Sequence, residues 1–138
     1  MPHFGERSRK ALESANPKLR QLFEEVVKHR DCTVLCGFRN EEDQERAFQH
    51  GFSKVRYPNS KHNNYPSNAV DVVPWPIDWN DLRRFDNFAG YVQATADRLG
   101  IKVKWGGDFS HDGNLKNDVF VDRPHWEIYE EGSKADAG

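Results

Sequence analysis

The sequence predicts an α+β fold, in which a small, mainly antiparallel sheet has helices packed on it. Two observations carry this prediction. Helical and strand-like patterns alternate along the chain, and no strand is followed by the glycine fingerprint of a nucleotide-binding βαβ unit. With 138 residues, the chain fits one domain of ordinary size. We therefore expect a single domain over residues 1–130 and a disordered tail over residues 131–138.

Four helices are predicted, over residues 7–12, from Asn16-Pro17 to about residue 30, over residues 41–50, and from residues 78–80 to Leu99. Apolar residues recur at helical spacing in the second and fourth, and acidic residues in its first turn support the third. Asn16 and Asn40 are suited to cap the second and third helices, and Pro17 suits a first helical position. Gly100 follows the last helix directly, as is typical of a helix end.

Four short runs predict strands, over residues 33–37, 69–73, 102–105 and 125–129. The polar stretch of residues 52–67 has no periodicity, and loops of that length in small domains are often functional. Cys32 and Cys36 would lie ~13 Å apart on one face of an extended strand, too far apart for a disulfide. We expect two free thiols, which fits synthesis in a reducing compartment.

Charge and hydropathy exclude several classes of function. The net charge is −2, so the chain lacks the electrostatic footprint of a protein that binds nucleic acid or an anionic membrane. No apolar run approaches the ~18 residues of a membrane-spanning helix, and the amino-terminal residues lack the apolar segment of a signal peptide. We expect a monomer without a membrane anchor.

A carboxylate inside an apolar run is the strongest chemical signal in the sequence. Asp71 lies in the middle of residues 69–73, where a buried charge costs several kcal/mol unless it is paired or binds metal. His62 lies in the polar loop before it, and Asp122 and His125 lie far downstream. Two histidines and one aspartate can hold a catalytic zinc ion and leave a fourth position for water.

Spacing alone leaves alternatives open. Asp71 could instead pair with Arg39, and His62 could be an ordinary loop histidine. In an extended segment Asp122 and His125 would face opposite sides, but Pro124 interrupts regular structure and allows a turn that brings both to one metal. The other histidines have no identifiable acidic or metal partner, and we expect them to be solvated or structural: His3, His29, His50 and His111.

Four motifs, in order, resemble those of the LAS metallopeptidases. They are Ser60-Lys61-His62, the strand Ala-Val-Asp-Val-Val-Pro at residues 69–74, Trp105-Gly106-Gly107-Asp108 and Pro124-His125-Trp126-Glu127. Gly37-Phe38-Arg39, followed by Gln44, is similar to the upstream arginine segment of the family. The group contains D-alanyl-D-alanine carboxypeptidases and dipeptidases, and L-alanyl-D-glutamate endopeptidases that tailed bacteriophages use as endolysins.

The resemblance implies a peptidase domain with a zinc ion held by His62, Asp71 and His125. Asp122, three residues before the last ligand, matches the position of the catalytic acid/base. This position is Glu in many relatives and Asp in the phage endopeptidases. A carboxylate there would take a proton from water and pass it to the leaving amine.

Four further residues have roles that the resemblance implies. Arg39 matches an arginine that holds a substrate or transition-state oxygen, a role suited to its fixed charge and forked donors. Ser60 is implied to contact substrate. We expect Asp108 to shape a turn or to support a ligand. We expect Trp126 to lie in the core rather than in a cleft wall.

The activity implied is zinc-dependent hydrolysis of peptidoglycan stem peptides, foremost at the L-alanyl–D-glutamate bond. The resemblance implies that the protein is a phage endolysin, which accumulates in the host cytoplasm and reaches the cell wall once the membrane is opened. Two alternatives remain: a D,D-carboxypeptidase or dipeptidase that releases D-alanine, and a wall-binding module without turnover. The interval between His62 and Asp71 is longer than in the commoner family pattern, so we expect the loop to bulge before the strand.

Overall fold

The computed structural model describes residues 2–107 and 122–129. Its elements are α1 (Glu6–Glu13), α2 (Pro17–Val27), β1 (Cys32–Cys36), α3 (Glu41–Gln49), a 3₁₀ turn (Lys61–Asn63), β2 (Ala69–Pro74), α4 (Leu82–Leu99), β3 (Val103–Trp105) and β4 (His125–Ile128). These strands form one antiparallel sheet in the order β1-β2-β4-β3. The α+β prediction is therefore confirmed. The predicted tail, Asp108 and His111 lie outside the described residues.

Helices α2 and α4 cover one face of the sheet, because each carries an apolar stripe at helical spacing. The core that they form with the sheet includes Leu19, Leu22, Phe23, Val26, Val70, Val72, Phe88, Val92, Ala96, Val103 and Trp126. Trp126 is 1% exposed and stacks on Trp105, with 6.1 Å between the ring centroids. The prediction that Trp126 belongs to the core is confirmed.

The opposite face of the sheet carries a row of polar side chains. Val70 and Val72 point into the core, so Asp71 between them points to the other face. The strand register pairs Asp71 with His125. Glu127 is two residues further along β4 and therefore shares the face of His125. The sheet itself thus places three ionisable side chains side by side.

A bulge in β1 separates the two cysteines. Val34 pairs with Val72, and Cys36 pairs with Asp71, the next residue of β2. Leu35 is therefore an additional residue in β1 that has no partner in β2. Cys32 lies in the core, whereas Cys36 pairs with Asp71 on the polar face. Our prediction that both cysteines share a face is wrong, because the additional residue interrupts the alternation of side chains. Both cysteines are free, as expected.

Helix α4 begins at Leu82, later than the predicted start at residues 78–80. The Asp78 carboxylate accepts a hydrogen bond from the N–H of Asn80, which forms a turn, and Asp81 caps the helix instead. The other helices begin and end within three residues of their predicted bounds. No helix among the described residues is long and apolar enough to cross a membrane.

The long segment before β2 has no α-helix or strand over residues 52–67, as predicted, and its last part closes on itself. The N–H of Asn68 donates to the Lys61 carbonyl at 3.0 Å, so the chain returns to its starting point. The N–H of Ser67 donates to the Ser14 carbonyl at 2.9 Å, which attaches the loop to the end of α1. Tyr65, within the loop, is mostly exposed.

Candidate metal centre and active site

A short capped turn holds His62. The Ser60 hydroxyl accepts a hydrogen bond from the N–H of His62, and the Asn63 side chain accepts one from the N–H of Ser60, which forms a capping box. The His62 imidazole is fully buried, and its Nδ1 lies 2.8 Å from the Gly37 carbonyl oxygen. A carbonyl oxygen can only accept, so Nδ1 carries the proton and Nε2 is left as a potential metal ligand.

Glu127 orients His125 in the same manner. The imidazole Nε2 lies 2.8 Å from Glu127 Oε1, and both side chains are fully buried. The other carboxylate oxygen lies 3.2 Å from Lys61 Nζ, which also donates to the Ile128 carbonyl at 2.9 Å. With Nε2 engaged by the carboxylate, Nδ1 of His125 is the nitrogen that faces Asp71.

Three potential ligand atoms form a nearly regular triangle. His62 Nε2 and His125 Nδ1 are 3.3 Å apart, and Asp71 Oδ1 lies 3.3 Å from the first and 3.4 Å from the second. Tetrahedral zinc with nitrogen and oxygen ligands at ~2.0–2.1 Å places those ligand atoms ~3.3–3.4 Å apart. Asp71 Oδ1 is buried and accepts no hydrogen bond from the described residues. The three side chains are therefore compatible with a bound metal ion.

Arg39 lies on the other side of the Asp71 carboxylate. Its Nη2 is 3.4 Å from Asp71 Oδ2, and both side chains are largely buried. The ion pair between Arg39 and Asp71, the alternative to metal binding that the sequence allowed, therefore involves Oδ2. Oδ1 remains part of the triangle. Gln44 holds the guanidinium from behind, since its Oε1 accepts a hydrogen bond from Arg39 Nη1 at 2.9 Å.

Gln44 joins three segments around the site. Besides Arg39, its side-chain oxygen accepts from Asn63, and its amide nitrogen donates to the Ser53 hydroxyl and the Val55 carbonyl. The side chain is fully buried. In the sequence, Gln44 appears only as part of a motif. Its burial could not be predicted, because a single amide side chain in a polar helix looks like any other surface residue.

A turn at Pro124 brings Asp122 to the other groups. The N–H of His125 donates to the Asp122 carbonyl at 3.1 Å, which closes the turn. Potential ligand atoms of Asp71, Asp122 and His125 all lie within 4.8 Å of one another. Of the two arrangements that the sequence allowed, the structure has the turn and not the extended segment.

Gly106 supports the start of this turn. Its N–H donates to the His125 carbonyl, and its own carbonyl accepts from the N–H of Asp122, each at 2.7 Å. A Cβ at this position would clash with the Asp122 carbonyl oxygen. Glycine therefore lets the end of β3 approach the turn that carries Asp122 closely enough for both hydrogen bonds.

Burial and neighbouring charges shift the pKa values of the site. Burial alone would lower the pKa of His62 and His125, but the Asp71 carboxylate, with Glu127 in the case of His125, raises both pKa values. Burial raises the pKa of Asp122 to about 6, and the negative charge of Asp71 adds to this effect. Protons and a metal ion would thus compete for the same imidazole nitrogens, and Asp122 can exchange a proton near neutral pH.

Cys36 is a second neighbour of His62. Potential ligand atoms of Cys36, His62 and Asp71 also lie within 4.8 Å of one another. However, Cys36 Sγ lies 3.9 Å from Nδ1, the nitrogen that already faces the Gly37 carbonyl. The triangle that includes His125 instead uses the nitrogen of His62 that the Gly37 carbonyl leaves available, so it is the better candidate for a metal site.

A cleft of about 700 Å³ opens beside these groups. Arg39, Asp71 and Asp122 contribute to its lining, so a ligand in the cleft would lie beside the triangle. Arg123 also lines the cleft, and its Nε donates to Asp86 at 3.0 Å. The remaining lining residues among those described are apolar: Leu35, Ala47, Phe52, Trp79, Leu82, Phe85 and Pro124.

The sequence model of a family described as phage L-alanyl-D-glutamate peptidase matches residues 1–129. The chain belongs to this family. This family member is 27% identical over 121 residues to the L-alanyl-D-glutamate peptidase of Escherichia phage T5. The aligned region covers 84% of this chain and 88% of that protein. The chain has the fold of the crystallised L-Ala D-Glu endopeptidase ChiX of Serratia marcescens, with a TM-score of 0.73, 24% identity and coverage of 93% and 91% of the two chains.

For two residues predicted to contribute to the site of this family member, the described structure does not show the predicted role. Ser60 is buried and its hydroxyl caps the His62 turn, so its contact with substrate stays a prediction. Asp108 is outside the described residues. Glu127 and Lys61 were not predicted as part of the site, although the alternation of residues 125–128 places Glu127 on the face of His125.

Proposed function

We propose that this chain is a zinc-dependent peptidase that hydrolyses bacterial peptidoglycan stem peptides between L-alanine and D-glutamate. The observation that carries the proposal is the triangle of His62, Asp71 and His125 beside Asp122, in a chain of the phage L-alanyl-D-glutamate peptidase family. Three protein ligands with an accessible fourth position are typical of catalytic rather than structural zinc sites.

Asp122 is the acid/base in this proposal. A bound zinc ion supplies a Lewis acid that polarises a carbonyl oxygen and acidifies water. The Asp122 carboxylate, whose pKa burial raises to about 6 in the metal-free protein, accepts the proton of the attacking water. It then donates that proton to the leaving amine of D-glutamate, so that the carboxylate is regenerated at the end of each cycle.

Arg39 binds an oxygen of the substrate. Its guanidinium lines the cleft beside Asp71 and is held in place by Gln44. A planar, permanently charged group in a largely buried position stabilises negative charge that develops on a carbonyl oxygen. Because Gln44 and Asp71 restrict its position, little conformational freedom is lost when substrate binds.

The biological role that we propose is lysis of the bacterial host at the end of a phage infection. The protein acts as a monomer on the wall after the host membrane has been opened, and it is held in the cytoplasm until then. Bacterial peptidoglycan is its partner in this role. Family membership supports this role.

Digestion of purified peptidoglycan by the zinc-loaded protein tests the bond assignment. We expect soluble fragments with a new amino-terminal glutamate, identified by mass spectrometry after amine labelling. Release of free D-alanine without new glutamate termini would contradict the assignment and favour the D,D-carboxypeptidase alternative. The Asp122→Asn protein is the matched control, because it keeps the three ligands and lacks the base. Equal digestion by this variant would contradict the assigned role of Asp122.

A further inference from the structure

An apolar wall beside the candidate metal centre takes no part in the chemistry proposed above. We define the wall as the side chains of Leu35, Phe52, Trp79 and Leu82, which line the same cleft as Asp71 and Asp122. The exposed fractions of these four residues lie between 45% and 74%. Exposed apolar residues that gather in a cleft cost solubility and are typical of a binding surface.

Trp79 gives this wall a rigid aromatic surface. Its ring stacks on that of Phe85, with 5.6 Å between centroids and 25° between ring planes. Phe85 is 3% exposed and therefore fixed by the core, whereas Trp79 remains 54% exposed. An aromatic ring that is supported on one face and open to a cleft suits a flat ligand with a weakly polar face, such as a pyranose ring.

The cleft has a charged part, in which Arg39 Nη2 lies 3.4 Å from Asp71 Oδ2 and potential ligand atoms of Asp71 and Asp122 lie within 4.8 Å of one another. Among the described residues, its charged lining consists of Arg39, Asp71, Asp122 and Arg123, and the wall contributes none. The stem peptide also has an uncharged and a charged part, which meet at the L-alanyl–D-glutamate bond. On the amino-terminal side, the lactyl carboxyl of N-acetylmuramic acid is consumed in its amide bond to L-alanine, so this side carries no charge. On the other side, glutamate carries a free carboxylate.

We propose that the wall binds the N-acetylmuramyl–L-alanine side of the substrate, with the sugar ring against Trp79. The charged part of the cleft then receives the glutamate carboxylate, and the scissile bond lies between the two. This inference rests on the proposed function and adds a preference to it: stem peptides that still carry the sugar are better substrates than stem peptides without it.

Two synthetic substrates test this preference. One is N-acetylmuramyl-L-Ala-D-Glu-L-Lys, and the other is acetyl-L-Ala-D-Glu-L-Lys, with the same glutamyl linkage in both and no free amine on alanine in either. For the wild-type holoenzyme we expect kcat/KM to be at least about tenfold higher for the muramyl peptide, as is typical of a filled apolar subsite. Trp79→Ala and Phe52→Ala should each remove most of this ratio.

Trp75→Ala is the matched control, because Trp75 is also 54% exposed but lines a separate cleft beside Arg30 and Arg83. It should keep the wild-type ratio. Equal kcat/KM for the two substrates in the wild type would overturn the inference while leaving the proposed function intact, and so would an unchanged ratio in both wall variants. If neither substrate is cut, the proposed function fails and the inference fails with it.

Discussion

At the scale of single residues, the candidate site extends beyond the groups that would contact zinc. Glu127 and the Gly37 carbonyl each engage one imidazole nitrogen, and by doing so they direct the other nitrogen of each histidine toward Asp71. Lys61 in turn neutralises Glu127. Such groups fix the tautomer and orientation of a ligand before the metal arrives, so the metal need not organise the site.

Glu127→Gln tests this role. The amide can still accept a hydrogen bond from His125, but it lacks the charge that raises the basicity of the imidazole and pairs with Lys61. We expect zinc affinity to fall about 10- to 100-fold, measured by competition with a chromophoric chelator. Glu6→Gln, on the exposed surface of α1, is the control. Wild-type affinity in the Glu127 variant would show that this carboxylate only packs the core.

Asp122 makes the pH profile of the enzyme predictable. A general base must be ionised, so kcat/KM should rise with pH through the pKa of Asp122, which is about 6 in the metal-free protein. The charge of a bound zinc ion lowers that pKa, so we expect the acidic limb at or below about pH 6. Asp122→Asn should lower kcat about 10²- to 10⁴-fold without loss of zinc. If kcat/KM rises with pH only above pH 7, and does so in the Asp122→Asn variant as well, then another residue is the general base.

At the scale of elements, strand alternation was predictable, and the irregularities that complete the site were not. The apolar neighbours of Asp71 show in the sequence that a carboxylate interrupts a buried strand. By contrast, the bulge at Leu35 depends on the register between β1 and β2, which periodicity does not contain. The turn at Pro124 was one of two arrangements that the sequence allowed, and its hydrogen bonds to Gly106 decide between them.

Gly106→Ala tests the support of this turn. The added Cβ would meet the Asp122 carbonyl oxygen, so we expect a loss of about 1–3 kcal/mol in the free energy of unfolding, measured in urea, and a lower kcat. Gly90→Ala is the control, because a Cβ within α4 meets nothing there and should stabilise the protein by ~0.5–1 kcal/mol. If the Gly106→Ala variant is as stable and active as the wild type, the close approach of Gly106 to the turn is not needed to position Asp122.

At the scale of the whole molecule, the site exists only when the sheet has assembled. His62 comes from a capped loop turn, Asp71 from β2 and His125 from β4, and 63 positions separate the two histidines in the chain. The fold class could be predicted because it follows from local patterns. The apolar wall could not, since Leu35, Phe52, Trp79 and Leu82 come together only through tertiary packing and each resembles an ordinary core residue in the sequence.

Removal of zinc should therefore destabilise the entire domain. Binding to the native state alone adds about 2.7 kcal/mol when free zinc is at 100 times its Kd. We expect a chelator to lower the Tm of the wild type in calorimetry, and zinc to restore it. Asp71→Asn, which keeps the volume of the side chain, should show neither change. Identical Tm values for the wild type with and without zinc would argue against a native metal site.

Anomalous X-ray diffraction at the zinc absorption edge tests the central claim most directly. For crystals of the zinc-loaded protein, we predict a single strong peak per chain at ~2.0–2.1 Å from His62 Nε2, Asp71 Oδ1 and His125 Nδ1. No peak at this position, or a peak bound through Cys36 in place of His125, would contradict the assignment of the ligands and with it the proposed mechanism.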